Sequence, residues 1–267
     1  ATVAGLQLDA LCDGFGQSAA AAGLPSVLIE NFTWDWIYQG YLDARPEFEQ
    51  YISFLKDIFS IRDFHIQTQP LCAINSTAQL CVPPISRKVV SSPILMRDRL
   101  HILPDQQIIL LTMGGIQTNF SQIKKQPFPI STVVIIPGGS KMIKREENII
   151  LLPYHSMFYH PDLIGASDAV ISKIGYSTIA ETYYAGIPFG YVPREYFRES
   201  IILAQFIHQN LPSILITPDD ITSPHLLEKV KRLLSLNSHK PDHPNGAFTV
   251  AAYILDCVIA PGLASSH

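Results

Sequence analysis

Residues 148–194, NIILLPYHSMFYHPDLIGASDAVISKIGYSTIAETYYAGIPFGYVPR, decide the fold. Three apolar runs lie within this stretch: Ile149–Leu152, Ala169–Ser172 and Phe189–Val192. Each is short, rich in β-branched or aromatic residues, and bounded by Pro, Gly or a helix start, so each reads as a buried strand. Between the second and third lie a glycine turn at Gly175, a Ser177/Thr178 helix start, one helix, and a glycine stop at Gly186. A strand–turn–helix–strand unit of this kind is a parallel crossover, which sets the helix N-terminus at the carboxyl end of the strand. Gly175, Ser177 and Thr178 thereby offer N–H groups and hydroxyls where phosphate binds readily. Glu181 follows one turn later on the same face, within reach of a sugar attached to that phosphate. The plainer reading of these residues is a Ser/Thr cap, with Glu181 completing a capping box.

The run Asp168–Pro188 resembles the donor-binding signature of GT-B glycosyltransferases. The similarity is to the branch that holds the GlcNAc transferase of lipid II synthesis, and to its distant UDP-glucuronosyltransferase cousins. The resemblance implies an α/β fold of two Rossmann-like domains facing across a cleft. It also implies that Gly175, Ser177 and Thr178 hold a diphosphate and Glu181 the ribose, with Lys173 and Tyr176 beside them.

Composition agrees with a well-buried α/β protein: 47% of the 267 residues are hydrophobic and 16% charged. Lys and Arg number 19 against 23 Asp and Glu, a net charge of −4, so no global positive field recruits nucleic acid or acidic membrane. No apolar run approaches the roughly 20 residues of a membrane span, and no signal peptide is visible, so a cytoplasmic protein is expected. Peripheral membrane association stays open. Cys12, Cys72, Cys81 and Cys257 lack CxxC spacing, and no metal site is expected. Cys72 and Cys81 share one Pro-flanked loop and can pair in an oxidising compartment; in a cytosolic protein they are free thiols.

The start of the chain offers two strands, Leu8–Cys12 and Val27–Glu30, joined by Asp13, an Ala-rich run and Gly23-Leu24-Pro25. The later Gly186-Ile187-Pro188 sits at the equivalent place, which suggests two Rossmann-like halves. A half-sheet of this type needs about four to six strands. The N-terminal domain, residues 1–103, therefore reads as incomplete, with the natural chain starting upstream or residues omitted. Asn31–Tyr38 directly follows the second strand and reads as a loop on the ligand side. Its polar members Asn31, Thr33 and Asp35 are expected at the cleft, with Trp34 on the acceptor side and Trp36 partly buried beneath. The same Asn-Phe-Thr-Trp-Asp run resembles the glycosyltransferase-like N-terminal region of L-arabinokinases and bacterial relatives, a likeness that covers nearly the whole chain. No kinase domain is present and no kinase activity is implied. Residues 46–63 carry apolar positions at a helical period, including a stripe of aromatic residues expected in the core. Pro93–Ile102 reads as a short helix ahead of the boundary at Leu103.

The second domain, residues 104–245, opens with the strand Gln107–Met113 running into Gly114-Gly115, where a side-chain-free backbone can approach a phosphate. Thr132–Ile136 is the next strand. Tyr154 and His155 follow Ile149–Leu152 and are candidates for the nucleobase by resemblance, whereas His160 reads as a surface residue without a ligand role. By the same resemblance, Arg198, Glu199 and Ser200 stand where the lipid II enzyme touches its donor sugar with a Gln-rich segment, a departure that implies a different donor sugar. A final helix in residues 246–267 is expected to return to the N-terminal domain.

The reading that joins these residues is a metal-independent glycosyltransferase. Its donor is a nucleoside-diphosphate sugar, UDP-linked, that binds as substrate with no further cofactor; its acceptor is an unnamed small molecule or glycan. The helix dipole takes the place of a metal, consistent with the lack of an Asp-x-Asp pair in the sequence. Asp35 and Asp13 are the candidate bases. The alternatives are a non-catalytic nucleotide- or sugar-binding module, and a sugar-nucleotide epimerase on the same scaffold.

Overall fold

The computed structural model describes residues 19, 21–113, 123 and 126–260. The strand expected at Leu8–Cys12, the candidate base Asp13 and the Gly114-Gly115 turn lie outside the described residues. The chain forms two compact units, one drawn from Ala1–Ser86, Tyr196–Ile202 and His243–His267, the other from Arg87–Glu195 and Leu203–Asp242.

The first unit contains β1 (Val27–Glu30), α1 (Trp34–Gln39), a 3-10 turn at Pro46–Phe48, α2 (Glu49–Ser60), β2 (Phe64–Thr68) and β3 (Leu80–Val82). Its three strands form one parallel sheet in the order β1-β2-β3. Residues 31–38 are thus a loop only as far as Thr33, the N-cap of α1; Trp34 onward is helical, with Ile37 buried at 2% exposure. The aromatic residues of 46–63 are not the core stripe either. Ile52, Leu55 and Ile58 are buried, whereas Tyr51 and Phe54 lie on the exposed side of α2.

The second unit contains α3 (Pro93–Arg99), β4 (Gln107–Thr112), β5 (Thr132–Pro137), β6 (Lys144–Glu146), β7 (Ile149–Leu152), α4 (His160–Ala166), β8 (Ala169–Lys173), α5 (Tyr176–Ala185) and β9 (Phe189–Val192). It continues with α6 (Glu199–Asn210, whose first turn is grouped with the other unit), β10 (Ser213–Leu215), α7 (Pro218–Thr222) and α8 (His225–Leu234). Seven strands run in the order β10-β9-β8-β4-β5-β7-β6, all parallel except the β6–β7 pair. Helices on both faces of such a sheet demand strands that are apolar throughout. Leu110, at 0% exposure, stands between Ile135 and Val170 in the ladder. Helix α8 supplies Leu226, Val230 and Leu233, one stripe at helical spacing, to the core on the opposite face, with Ile109 and Leu111. The division at Ser86, ahead of Leu103, has a packing cause: α3 lies against α4 and so belongs with the larger sheet.

The last helix, α9 (Gly246–Tyr253), continues as a π-helical segment over Ile254–Ile259. Asn245 caps it by accepting from Ala247 N at 3.0 Å, and clasps Ser86 through both its amide atoms. Val250 then joins Ile66, Val82 and Ile85 in the small core of the first unit. Gly246 is required there, since a Cβ would stand 2.1 Å from Pro83 O.

Candidate functional site

In the larger sheet the strand order turns back between β4 and β8: β5 and β7 extend to one side of the pair, β9 and β10 to the other. Open parallel sheets bind ligands at the carboxyl ends of the strands at such a switch point. Met113 follows β4 at this place, and Lys173 ends β8 immediately before the turn into α5.

Gly175 is the N-cap of α5, in extended conformation (φ −165°, ψ 137°), and no side chain caps the helix. Ser177 and Thr178 are therefore its second and third residues and not its caps, and Glu181 completes no capping box. A helix start leaves its first N–H groups without acceptors inside the helix, at the positive end of the dipole. Among the described residues no atom beyond its neighbours lies within 4 Å of where a Gly175 Cβ would stand. Ser177 is exposed; Thr178 and Tyr176 are half-buried. Burial lowers the Lys173 pKa, and Arg194 lowers it further, a cationic environment suited to an anionic ligand. The stop of α5 is Gly186, left-handed at φ 72°, whose N–H bonds Thr182 O and Tyr183 O. Tyr154 and His155 leave β7 with their rings edge to face at 4.9 Å, and Tyr154 is 65% exposed.

Glu181 is held from both carboxylate oxygens. Its side chain is 2% exposed; Oε1 accepts from Arg87 Nε at 2.6 Å, and Oε2 lies 3.0 Å from His160 Nδ1. The guanidinium of Arg87 also lies over Tyr159, 5.4 Å from the ring centroid. His160, expected to be an uninvolved surface residue, instead opens α4 and turns onto α5. The segment carrying Arg87 is tied to α4 as well, because Asp162 accepts from Val90 N at 2.7 Å and Ser91 N at 3.0 Å. Burial opposes ionisation of Asp162, but those amides, the Ser91 hydroxyl and Arg99 hold its pKa below the ordinary value. Sequence reasoning missed Arg87 and His160 because no spacing links them to a residue 94 and 21 positions away.

The remaining candidates lie in the first unit. Asn31 is buried at 9% exposure, not an exposed cleft residue: its Nδ2 is 3.9 Å from Cys72 Sγ and its backbone carbonyl accepts from Cys72 N. Burial, with Glu199 and Glu30 nearby, pushes the Cys72 thiol up to about 12. Cys72 and Cys81 are both free. Arg198 is engaged by α1, donating to Trp36 O and stacking 4.0 Å above the Trp36 ring, and Glu199 is buried. Thr33, Asp35 and Trp36 line a pocket of about 380 Å³, whereas Trp34 packs between Phe32 and Tyr38. Among the described residues no group of three or more His, Cys, Asp or Glu is placed to hold a metal.

Comparison with known proteins accords with this geometry. The spinosyn forosaminyltransferase SpnP superposes with a TM-score of 0.52 at 15% identity, covering 95% of this chain and 72% of SpnP. MurG of Acinetobacter baumannii gives a TM-score of 0.50 at 14% identity, covering 90% of this chain and 68% of MurG. The fold is that of the GT-B glycosyltransferases. Residues 112–251, just over half of the chain, match the glycosyltransferase family 28 C-terminal domain, and the chain belongs to that family. An L-arabinokinase of Arabidopsis thaliana is 29% identical over 241 residues, which cover 90% of this chain and 23% of that protein.

Proposed function

We propose that the chain transfers a sugar from a UDP-sugar to an acceptor hydroxyl in the cytoplasm, without a metal ion. One observation carries the reading: a helix begins at an uncapped glycine at the sheet's switch point, with no other described residue within 4 Å of its Cβ position. The N–H groups at this helix start and the Ser177 and Thr178 hydroxyls hold the diphosphate, with Lys173 beside it. Tyr154 and His155 flank the base. Glu181 accepts ribose hydroxyls, since a carboxylate offers about four lone-pair sites and Arg87 and His160 occupy two. The acceptor oxygen attacks the anomeric carbon as the bond to the β-phosphate oxygen breaks. The electron pair leaves with UDP, stabilised by the helix start, and the acceptor proton passes to a base, for which Asp35 is the candidate. Among the described residues no helix is long and apolar enough to cross a membrane.

Thermal melting with UDP, GDP and dTDP tests the donor site. UDP at about 100 times its Kd should stabilise the chain by about 2.7 kcal/mol, with or without EDTA. A shift that requires Mg²⁺ rejects the helix-start mechanism. The likeness to an L-arabinokinase, of which this chain covers 23%, favours a second reading, a nucleotide-binding module without turnover. Saturable UDP binding together with no hydrolysis or transfer from any UDP-sugar selects it.

A further inference from the structure

The pocket of the first unit has a chemistry that the donor site does not explain. Its floor is Glu30, the last residue of β1, with a side chain only 4% exposed. Oε1 of Glu30 is fixed twice, by His65 Nε2 at 2.8 Å and by Gln67 Nε2 at 2.9 Å. The tautomer follows from the neighbours: an Arg62 guanidinium nitrogen lies 3.4 Å from His65 Nδ1 and can only donate, which leaves the proton on Nε2 facing Glu30. Gln67 is committed at both ends as well, with Nε2 also donating to Ala73 O at 2.7 Å and Oε1 accepting from Asn75 N at 2.8 Å. This network clamps one carboxylate oxygen. The other, Oε2, is buried and has no hydrogen-bond partner among the described residues. A buried anionic oxygen left in that condition costs several kcal/mol unless a donor reaches it, and native proteins keep few such groups without a use.

We infer that this pocket binds a neutral, polyhydroxylated ligand of monosaccharide size, one of whose hydroxyls donates to Glu30 Oε2. The volume of about 380 Å³ lies in the range of small-molecule sites. The lining contains two carboxylates, Glu30 and Asp35, and two cations, Lys56 and Arg62, so neither an anion nor a cation meets a complementary field. An anion would be repelled at the floor by Glu30; an ammonium would meet Arg62 and Lys56. Hydroxyls can donate to Glu30 and Asp35 and accept from Lys56. Trp36 supplies an apolar wall for the C–H face of a sugar ring, and Arg198, stacked at 4.0 Å, holds it in place. This names the ligand class for the acceptor side of the proposed transferase, and in that respect rests on that reading; binding itself requires no nucleotide.

The experiment is a titration of the nucleotide-free chain with D-glucose, D-galactose and D-xylose, followed by tryptophan fluorescence and by saturation-transfer NMR. Glucuronate and ethanolamine serve as charged comparators. At least one neutral sugar should bind saturably and in preference to both comparators. Glu30→Gln should weaken it about tenfold or more, the effect of losing a hydrogen bond to a charged group. If E30Q does not fold, Thr33→Val, which lines the pocket outside the Glu30 network, should weaken binding about threefold to tenfold. No saturation by any sugar at about 50 mM overturns the inference. So does binding unaffected by the variants, or preference for a charged comparator. Failure of UDP to bind would leave a positive sugar result intact and reject only the transferase reading; the reverse pattern would reject only the sugar pocket.

Discussion

The two sheets of this chain solve the same problem with opposite materials. In the seven-stranded sheet, β4, β5, β7 and β8 are built mostly from Ile, Leu and Val at or near zero exposure, with the hydroxyls of Thr112, Thr132 and Ser172 among them. In the three-stranded sheet, β2 reads Phe64-His65-Ile66-Gln67-Thr68, and its buried residues include one imidazole, one amide and one hydroxyl. The first sheet gains stability from area removed from water, about 25 cal/mol per Å² of apolar surface. The second must satisfy the polar atoms it buries, and joins His65 and Gln67 to Glu30 and to the loop at Ala73–Asn75, while Glu30 Oε2 keeps no partner among the described residues. An apolar sheet is a scaffold that presents its site at its edge; a polar one has its chemistry inside.

If this contrast holds, core truncation should separate the units most. Leu110→Ala, in the middle of the large sheet, should cost about 3–5 kcal/mol, and Ile66→Ala, in the small core with Val82, Ile85 and Val250, about 2–3 kcal/mol. Urea unfolding measures both. Equal losses would show that the small core is packed as firmly as the large one.

Polar truncation should run the other way. Gln67→Leu removes a donor from Glu30 and leaves Ala73 O and Asn75 N without their partner, so a loss of about 1–3 kcal/mol is expected. Ser172→Ala in β8 removes one bond to Lys173 O and should cost less than about 1 kcal/mol. A Ser172→Ala loss as large as that of Gln67→Leu would erase the distinction.

Glu181 joins the two styles, because it is a buried polar group inside the apolar unit. Glu181→Ala leaves Arg87 and His160 facing a void. Since Arg87 is 32% and His160 25% exposed, water recovers part of the loss, and about 1–2 kcal/mol of stability is expected to go. UDP affinity should fall by about tenfold or more in the same variant. Lost stability with unchanged UDP affinity would make the residue a structural clasp only.

The same contrast explains what the sequence revealed. The central strands of the large sheet are legible because burial on both faces leaves mainly apolar residues, whereas β6, exposed and charged, carries no such signal. Gly186 marks the end of α5 because its left-handed backbone and close neighbours leave no room for a side chain. In the first unit, β2 carries no apolar run, and α1 reads as a loop in the sequence because its aromatic and acidic residues form no clean amphipathic stripe. The partners of Glu181 and Glu30 were invisible for a further reason: Arg87, His160, His65 and Gln67 meet them through the fold, from 21 to 94 residues away.

The smallest expected effect belongs to a feature that local sequence does reveal. The Asp219-Asp220 pair marks a helix start, and α7 has a complete capping box: Thr217 Oγ1 accepts from Asp220 N at 3.1 Å, while Asp220 Oδ2 accepts from Thr217 N at 2.8 Å. The Thr217 amide lowers the Asp220 pKa most; burial opposes it; and the Thr217 hydroxyl, Lys229 and His225 lower it further, for a net shift below the ordinary 3.8. A depressed carboxylate pKa stabilises the folded state above the unfolded value, and that contribution disappears as pH falls through the folded one. Thr217→Ala should therefore cost about 1 kcal/mol at neutral pH and progressively less below about pH 4. Parallel urea titrations of wild type and variant at neutral and acid pH measure the difference. A cost that persists undiminished in acid would show that the hydroxyl's bond to the Asp220 amide, and not the carboxylate, supports this helix start. Local signals of this kind are readable because both partners lie within one turn of chain, and for the same reason they contribute little to the choice between one fold and another.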